Sequence, residues 1–174
     1  KTVLVTDPQR AVEEILERVL AAEGYDLAGA DGADPDLVLT PETGTARFWD
    51  MYWQPEATAR AVADSGLGAT IGGPLFDADG HTERMKATAL ASLEELEPFA
   101  PRVGRALAPH SIYTVSEELL RWTAEVAADR EIPVQIHLAE TEREVQDCLA
   151  AHGERPAQYL DRLGLLGERT MLAH

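Results

Sequence analysis

Cysteine is almost missing from this sequence, because Cys148 is the only one among 174 residues. A single cysteine cannot form an intrachain disulfide, and its isolation excludes a metal site built from several thiolates. Cys148 lies in a helical pattern between Val145 and Leu149, where a small buried hydrophobic side chain is expected. The fold must therefore be held together by packing and hydrogen bonds rather than by cross-links.

Basic charge is also scarce. Lysine occurs only at positions 1 and 86, and 15 basic residues stand against 31 acidic ones, for a formal net charge of −16. A surface this acidic repels nucleic acid and anionic lipid, so we expect neither nucleic acid nor a membrane as a partner. Many carboxylates with few lysines are typical of an acidic, halophilic-type surface.

Long hydrophobic runs are absent, since no stretch of 18 residues is apolar throughout. The sequence therefore predicts no transmembrane helix. The opening residues KTVLVTD lack a signal-peptide pattern, so we expect a cytoplasmic protein. Hydrophobic residues make up 45% of the chain, which is enough for a single domain over residues 1–174 with a core of its own.

What the sequence does contain is a regular alternation of β-rich and helical patterns, which predicts a parallel sheet with crossover helices. A closed (β/α)8 barrel takes about 250 residues, with about 200 as a lower limit. We therefore predict an α/β fold that is a partial or compact (β/α)8 TIM-type barrel, or alternatively an open flavodoxin-like doubly wound sheet. The predicted strands cover residues 3–7, 26–30, 36–39, 45–52, 68–75, 103–111, 133–140 and 170–174. The predicted helices cover residues 8–24, 55–66, 83–99, 115–131, 141–153 and 156–164.

The second and third predicted strands form the least regular part of the pattern. Only DGADP separates DLAGA from DLVLT, whereas a parallel pair needs a crossover of about a dozen residues. Either these two strands do not pair with each other in parallel, or a helix is missing between them.

Polar residues follow several predicted strands, at the edge where α/β folds collect functional groups. They are Asp50, His110, His137, Glu140 and His174. Two histidines from neighbouring parallel strands can bind one zinc or iron ion, and a nearby carboxylate can move protons during hydrolysis. The alternative is that each is an ordinary hydrogen-bonded residue at a strand end.

Four stretches carry a resemblance to a known family. They are TGTARFWDMYWQPEATARAV, ALAPHSIYTVSEELLR, VQIHLAETEREV and the final LAH, and they occur in family order. With them, residues 43–174 resemble the amidohydrolase superfamily. The similarity is greatest to the branch of S-adenosylhomocysteine/methylthioadenosine deaminases, guanine and cytosine deaminases and triazine chlorohydrolases.

The resemblance implies roles for four residues. His137 and His174 resemble the metal ligands of the fifth and sixth barrel strands, with zinc or iron as the metal. Glu140, in the H-x-x-E pattern, resembles the catalytic general acid/base, and His110 resembles the histidine that contacts the substrate. The implied reaction is metal-dependent hydrolytic deamination of an amino-substituted purine, pyrimidine or triazine-like ring, so the implied partner is a small heterocyclic substrate.

The sequence departs from the family pattern at two places. No two histidines lie two positions apart, so the H-x-H pair of the first barrel strand is missing, as is the aspartate of the eighth. A catalytic zinc normally has three protein ligands, and the resemblance supplies two. We therefore expect impaired catalysis with the metal's presence open, or alternatively a non-catalytic α/β scaffold that keeps relic site residues. A partial barrel would leave strand edges that a homo-oligomer could cover.

Residues 1–42 show a different resemblance, to the start of a response-regulator receiver domain with a flavodoxin-like fold. Asp7 matches an acidic residue after the first strand, but the phosphoacceptor aspartate expected near Thr40–Pro41 is missing. A receiver-like signalling module is therefore the weaker alternative. Two resemblances in one chain fit an engineered chimera, a truncated gene product or a fragment.

Overall fold

The computed structural model describes residues 47–174 together with the backbone of three earlier strands. These strands are β1 (Thr2–Val5), β2 (Asp26–Leu27) and β3 (Leu37–Leu39). β1 pairs in parallel with both β2 and β3. The second and third strands therefore lie on opposite sides of the first and need no crossover between them. The helix predicted at 8–24 and Asp7 lie outside the described residues, and the receiver-like start stays a prediction.

From residue 47 onward the predicted order of strands and helices is confirmed. The strands are β4 (Arg47–Met51), β5 (Gly68–Gly72), β6 (Pro74–Leu75), β7 (Val103–Arg105), β8 (Ala108–Pro109), β9 (Val134–His137) and β10 (Thr170–Ala173). The helices are α1 (Pro55–Ser65), α2 (Thr82–Leu96), α3 (Glu117–Arg130), α4 (Glu142–His152) and α5 (Pro156–Arg162), with a 3₁₀ turn at Glu97–Phe99. The strands predicted at 68–75 and 103–111 are each divided in two, and the first division falls where Gly73 precedes Pro74.

Neighbouring strands follow one another in chain order. β5 lies between β4 and β7, β6 pairs with β8, and β9 pairs with β10, all in parallel. The N–H groups of Gln135 and His137 donate to the carbonyls of Leu107 and His110, which joins the β8 region to β9. A doubly wound sheet reverses its order at a switch point, and the described strands from β4 onward do not. This is an α/β fold whose strand carboxyl ends meet at one edge.

Two hydrophobic clusters pack the helices against one face of these strands. The larger cluster includes Leu107, Leu119, Ile136, Cys148 and Leu160, all nearly inaccessible to solvent. The smaller cluster lies between α1, α2 and the strands β5 and β7. Burial of Cys148 confirms the sequence prediction. Because side chains alternate along a strand, burying Ile136 under the helices turns its neighbours towards the opposite face.

Local sequence signals explain where the helices begin and end. Ser116 and Thr141 cap α3 and α4, each accepting a hydrogen bond from a backbone N–H in the first helical turn. α1 starts at Pro55 and ends before Gly66, which takes the left-handed conformation. Within the described part of the chain, no helix is long and apolar enough to cross a membrane.

Candidate active site

A row of five rings runs along the carboxyl edge of the strands. Trp53, Phe76, His110 and His174 each follow a strand, and His137 is the last residue of β9. Neighbouring ring centroids are 5.4, 4.6, 5.1 and 5.1 Å apart along this row. Adjacent strands lie about 4.8 Å apart, which accounts for this spacing. The structure therefore brings together the three histidines that the sequence placed at strand ends, and adds two aromatic rings beside them.

His110 is oriented by two hydroxyl groups. Its Nδ1 lies 2.9 Å from Oγ1 of Thr114 and 3.1 Å from Oγ of Ser111, and these two hydroxyls are 2.8 Å apart. Burial lowers the pKa of His110, and positive charge on His137 lowers it further, while Glu140 acts in the opposite direction. The ring is therefore held mainly neutral at pH 7, with Nε2 on the side away from the hydroxyls.

His137 has an environment that suits a metal ligand. Its Nδ1 is buried and has no hydrogen-bond partner among the described residues. An unpaired buried nitrogen is costly, and a neutral imidazole is a common zinc ligand. The register of β9 and β10 pairs His137 with Ala173, which places the His174 ring beside it. The two imidazoles therefore fit two ligands of a zinc site.

A complete metal centre is not formed by these residues alone. In the part of the chain that the structure describes, no group of three or more His, Cys, Asp or Glu side chains is spaced to hold a metal ion.

Glu140 is exposed on the turn that follows β9. The turn contains Ala139 with a positive φ of 55°, and the buried carboxylate of Glu144 accepts hydrogen bonds from two backbone groups there. Oε1 of Glu144 accepts from the N–H of Ala139 at 3.0 Å, and Oε2 accepts from the N–H of Glu140 at 2.9 Å. The sequence prediction missed Glu144, although Thr141 followed by Glu144 has the T-x-x-E spacing of a helix capping box.

Asp77 supports the site from the other side of His110. Its carboxylate accepts hydrogen bonds from the N–H and hydroxyl of Ser116 and from the hydroxyl of Thr82, so it joins the starts of α3 and α2. Its own N–H donates to the carbonyl of Thr114. Burial alone raises the pKa of Asp77, but the hydrogen bonds outweigh it and hold the pKa below its ordinary value. No local sequence signal identifies this residue, because its partners are up to 39 positions away.

Asp50 lies near the end of β4, as the sequence predicted, but it lies apart from the row of rings. Its carboxyl group is buried on β4 and hydrogen-bonds Thr58 of α1. Burial raises its pKa to about 6, a change that the Thr58 hydrogen bond reduces. Its position on the helix side separates it from the three histidines.

Comparison with known proteins gives a consistent result. The sequence profile of the amidohydrolase family matches residues 38–174. A 5'-deoxyadenosine deaminase of Methanoregula boonei is 43% identical over 137 residues, covering 76% of this chain and 30% of that protein. The 5-methylthioadenosine/S-adenosylhomocysteine deaminase 1 of Archaeoglobus fulgidus is 42% identical over 135 residues, covering 76% and 32%. The chain thus spans about a third of the length of these relatives.

Solved structures share the fold. Guanine deaminase from C. acetobutylicum, with guanine bound, superposes with a TM-score of 0.67 at 21% identity, over 75% of this chain and 34% of that one. A zinc-bound adenosine deaminase from Xanthomonas campestris gives a TM-score of 0.66 at 22% identity, over 98% and 42%. The resemblance of residues 43–174 is thereby confirmed, and the chain belongs to the amidohydrolase family.

Proposed function

We propose that residues 43–174 provide part of the active site of a metal-dependent hydrolase that deaminates an adenosine-like substrate. The observation that carries this proposal is the placement of His110, His137 and His174 side by side at one strand edge, with Glu140 on the adjoining turn. The two deaminase relatives support the substrate class, because each is named for an adenosine derivative.

In this proposal His137 and His174 hold the metal as neutral imidazoles. Zinc is supported by the zinc-bound adenosine deaminase of similar fold and by the unpaired Nδ1 of His137. When bound, zinc supplies Lewis-acid activation of a water molecule for attack on a ring carbon. Because a catalytic zinc normally has three protein ligands, these residues account for part of the ligand set.

Glu140 and His110 have complementary tasks in the proposed reaction. The Glu140 carboxylate takes a proton and passes it to the departing amine, the work of a general acid/base. Its charge acts to raise the pKa of His110, which supports a shared role for the two groups. Neutral His110, held at Nδ1 by hydroxyls, can hydrogen-bond a substrate through Nε2, while Trp53 and Phe76 offer ring faces beside it.

We also propose that β4 to β10 form successive strands of a (β/α)8 barrel that is partial in this chain. Their order along the chain supports this arrangement, since barrel strands are wound in one direction. Leu172 on β10 is 41% exposed, and a second copy of the chain could cover this apolar side chain.

Zinc binding and ammonia release test the proposed function. We expect the unmodified chain to bind zinc in calorimetric titration, and H137A and H174A to lose most of that affinity. His81→Ala is the matched control, because His81 is exposed before α2 and its ring lies near Asp79.

The zinc-loaded chain is then incubated with 5'-deoxyadenosine, 5-methylthioadenosine and guanine. Ammonia release from the adenosine derivatives, lost in Glu140→Gln, would support the deaminase. Zinc binding that is equal in all three histidine variants would exclude the assigned ligands. Specific zinc binding without ammonia release from any purine would favour the non-catalytic scaffold.

A further inference from the structure

The turn between β9 and α4 combines an unfavourable conformation with a functional side chain. Ala139 has φ of 55°, a left-handed conformation that is unfavourable for a residue with a Cβ. Glu140 follows immediately and is exposed, so its side chain gains no fixed position from packing. Something other than intrinsic preference must therefore hold this backbone.

Glu144 provides that constraint. Its side chain is 4% exposed, and each carboxylate oxygen accepts one backbone N–H, from Ala139 at 3.0 Å and from Glu140 at 2.9 Å. Burying a carboxylate is costly unless hydrogen bonds compensate, and bonds to an ionised acceptor are stronger than neutral ones. Both compensating donors come from the turn that carries Glu140.

The geometry differs from that of an ordinary helix cap. In a capping box the glutamate at the third helical position accepts the N–H of the capping residue, which here would be Thr141. Thr141 does accept the N–H of Glu144 at 3.1 Å, so half of the box is present. The carboxylate instead reaches one and two residues further back. It therefore fixes the turn rather than only the helix end.

We propose that Glu144 is a positioning residue, whose carboxylate fixes the 139–140 backbone and thereby sets the place of the Glu140 side chain at the carboxyl end of β9. This inference rests on the proposed role of Glu140 in proton transfer. A supporting group that orients a site residue typically contributes about 10- to 100-fold to activity. The predicted loss is in the chemical step, because Glu144 itself lies buried beneath the turn and does not face a substrate.

Amide hydrogen exchange tests the positioning directly. In the unmodified chain, the amides of Ala139 and Glu140 should be protected although their turn is exposed. Glu144→Gln leaves one acceptor oxygen and sets an NH₂ group against the other donor, so exchange at these amides should be about 10-fold faster or more. Glu142 is exposed in the same helical turn, and Glu142→Gln makes the same change of charge. This control should leave the exchange rate at the Ala139 and Glu140 amides unchanged.

Kinetics test the consequence for the reaction. In the zinc-loaded chain, E144Q should lower kcat by about 10- to 100-fold with KM changed less than about threefold, whereas E142Q keeps both. Adding Ala139→Gly to E144Q should restore part of kcat, because glycine adopts the left-handed conformation without a Cβ penalty. A role confined to overall stability would show no such rescue well below the melting temperature.

The two measurements separate this inference from the proposed function. An unmodified chain that is inactive, yet has protected amides at Ala139 and Glu140 that E144Q exposes, contradicts the deaminase and keeps Glu144 as the constraint on the turn. Unprotected amides in the unmodified chain overturn the inference without any variant. If the unmodified chain is active, equal kcat in E144Q and E142Q also overturns it.

Discussion

Asp50 illustrates at the scale of one residue how burial creates a pH-sensitive group. Its carboxyl group is buried on β4, and one of its oxygens has no hydrogen-bond partner among the described residues. Burial raises its pKa from 3.8 to about 6. The folded protein therefore holds this proton more tightly than the unfolded chain does, and ionisation of Asp50 opposes folding.

Replacing Asp50 should change how stability depends on pH. Between about pH 4 and pH 6 the unfolded chain has lost this proton while the folded protein keeps it, so the free energy of unfolding falls as pH rises. Asp50→Asn cannot ionise, and relative to the unmodified protein it should gain on the order of 2–3 kcal/mol between pH 4 and pH 7. Urea unfolding at several pH values measures this difference.

An exposed aspartate in α1 provides the control for this experiment. Asp64→Asn removes the same charge from a solvated position and should follow the pH profile of the unmodified protein closely. If D50N and the unmodified protein give parallel curves from pH 4 to pH 7, burial does not raise the pKa of Asp50 as inferred.

At the scale of secondary-structure elements, Gly72 allows the end of β5 to lie close to Ala106 and to β8. A Cβ placed on Gly72 would lie 2.7 Å from Cβ of Ala108 and 2.8 Å from the carbonyl oxygen of Ala106. Neither neighbour is the flexible end of a long side chain, so the strands themselves would have to move apart. The carboxyl end of β8, which carries His110, depends on this close contact.

Gly72→Ala should therefore lower the free energy of unfolding by about 1–3 kcal/mol, the usual cost of overpacking a core. Chemical denaturation measures the loss, and Gly167→Ala is the control because a Cβ there meets nothing within 4 Å. Equal stability of the two variants would show that β5 and β8 can separate without cost.

At the scale of the whole molecule, the excess of acidic residues is the main electrostatic influence on stability. A net charge of −16 on 174 residues gives long-range repulsion that favours expanded states. The described ion pairs include exposed pairs one helical turn apart, such as Arg121 with Glu117, and each contributes little to stability. Local pairing therefore leaves most of the repulsion in place.

Salt should stabilise this protein by screening that repulsion. Raising NaCl from 0.05 to 1 M shortens the screening length to about 3 Å, and we expect the thermal midpoint to rise by several degrees. Circular dichroism during heating measures the midpoint, with sucrose at matched osmolality as a non-ionic control. A midpoint that stays constant or falls with NaCl would show that repulsion does not limit stability.

The sequence by itself determined the order of the elements from residue 47 onward and the placement of His110, His137 and His174 at strand ends. Both depend on local patterns: hydrophobic periodicity sets the elements, and a polar residue after an apolar strand lies at the carboxyl edge of a parallel sheet. Family motifs, which are also local strings, identified the amidohydrolase relationship. The roles of His110, His137, Glu140 and His174 in a reaction stay predictions.

Only the tertiary structure decided which distant groups meet. Strand register and helix packing decide that the five rings lie in one row and that Asp50 is buried. They also decide that Asp77 accepts hydrogen bonds from Ser116 and Thr82. β2 and β3 flank β1, which resolves the pairing that sequence left open. The hydrogen bonds that Glu144 accepts from the turn before its helix also depend on the tertiary structure, because the same T-x-x-E spacing allows an ordinary capping box. Local periodicity fixes each element, whereas the contacts between elements depend on how the whole core packs.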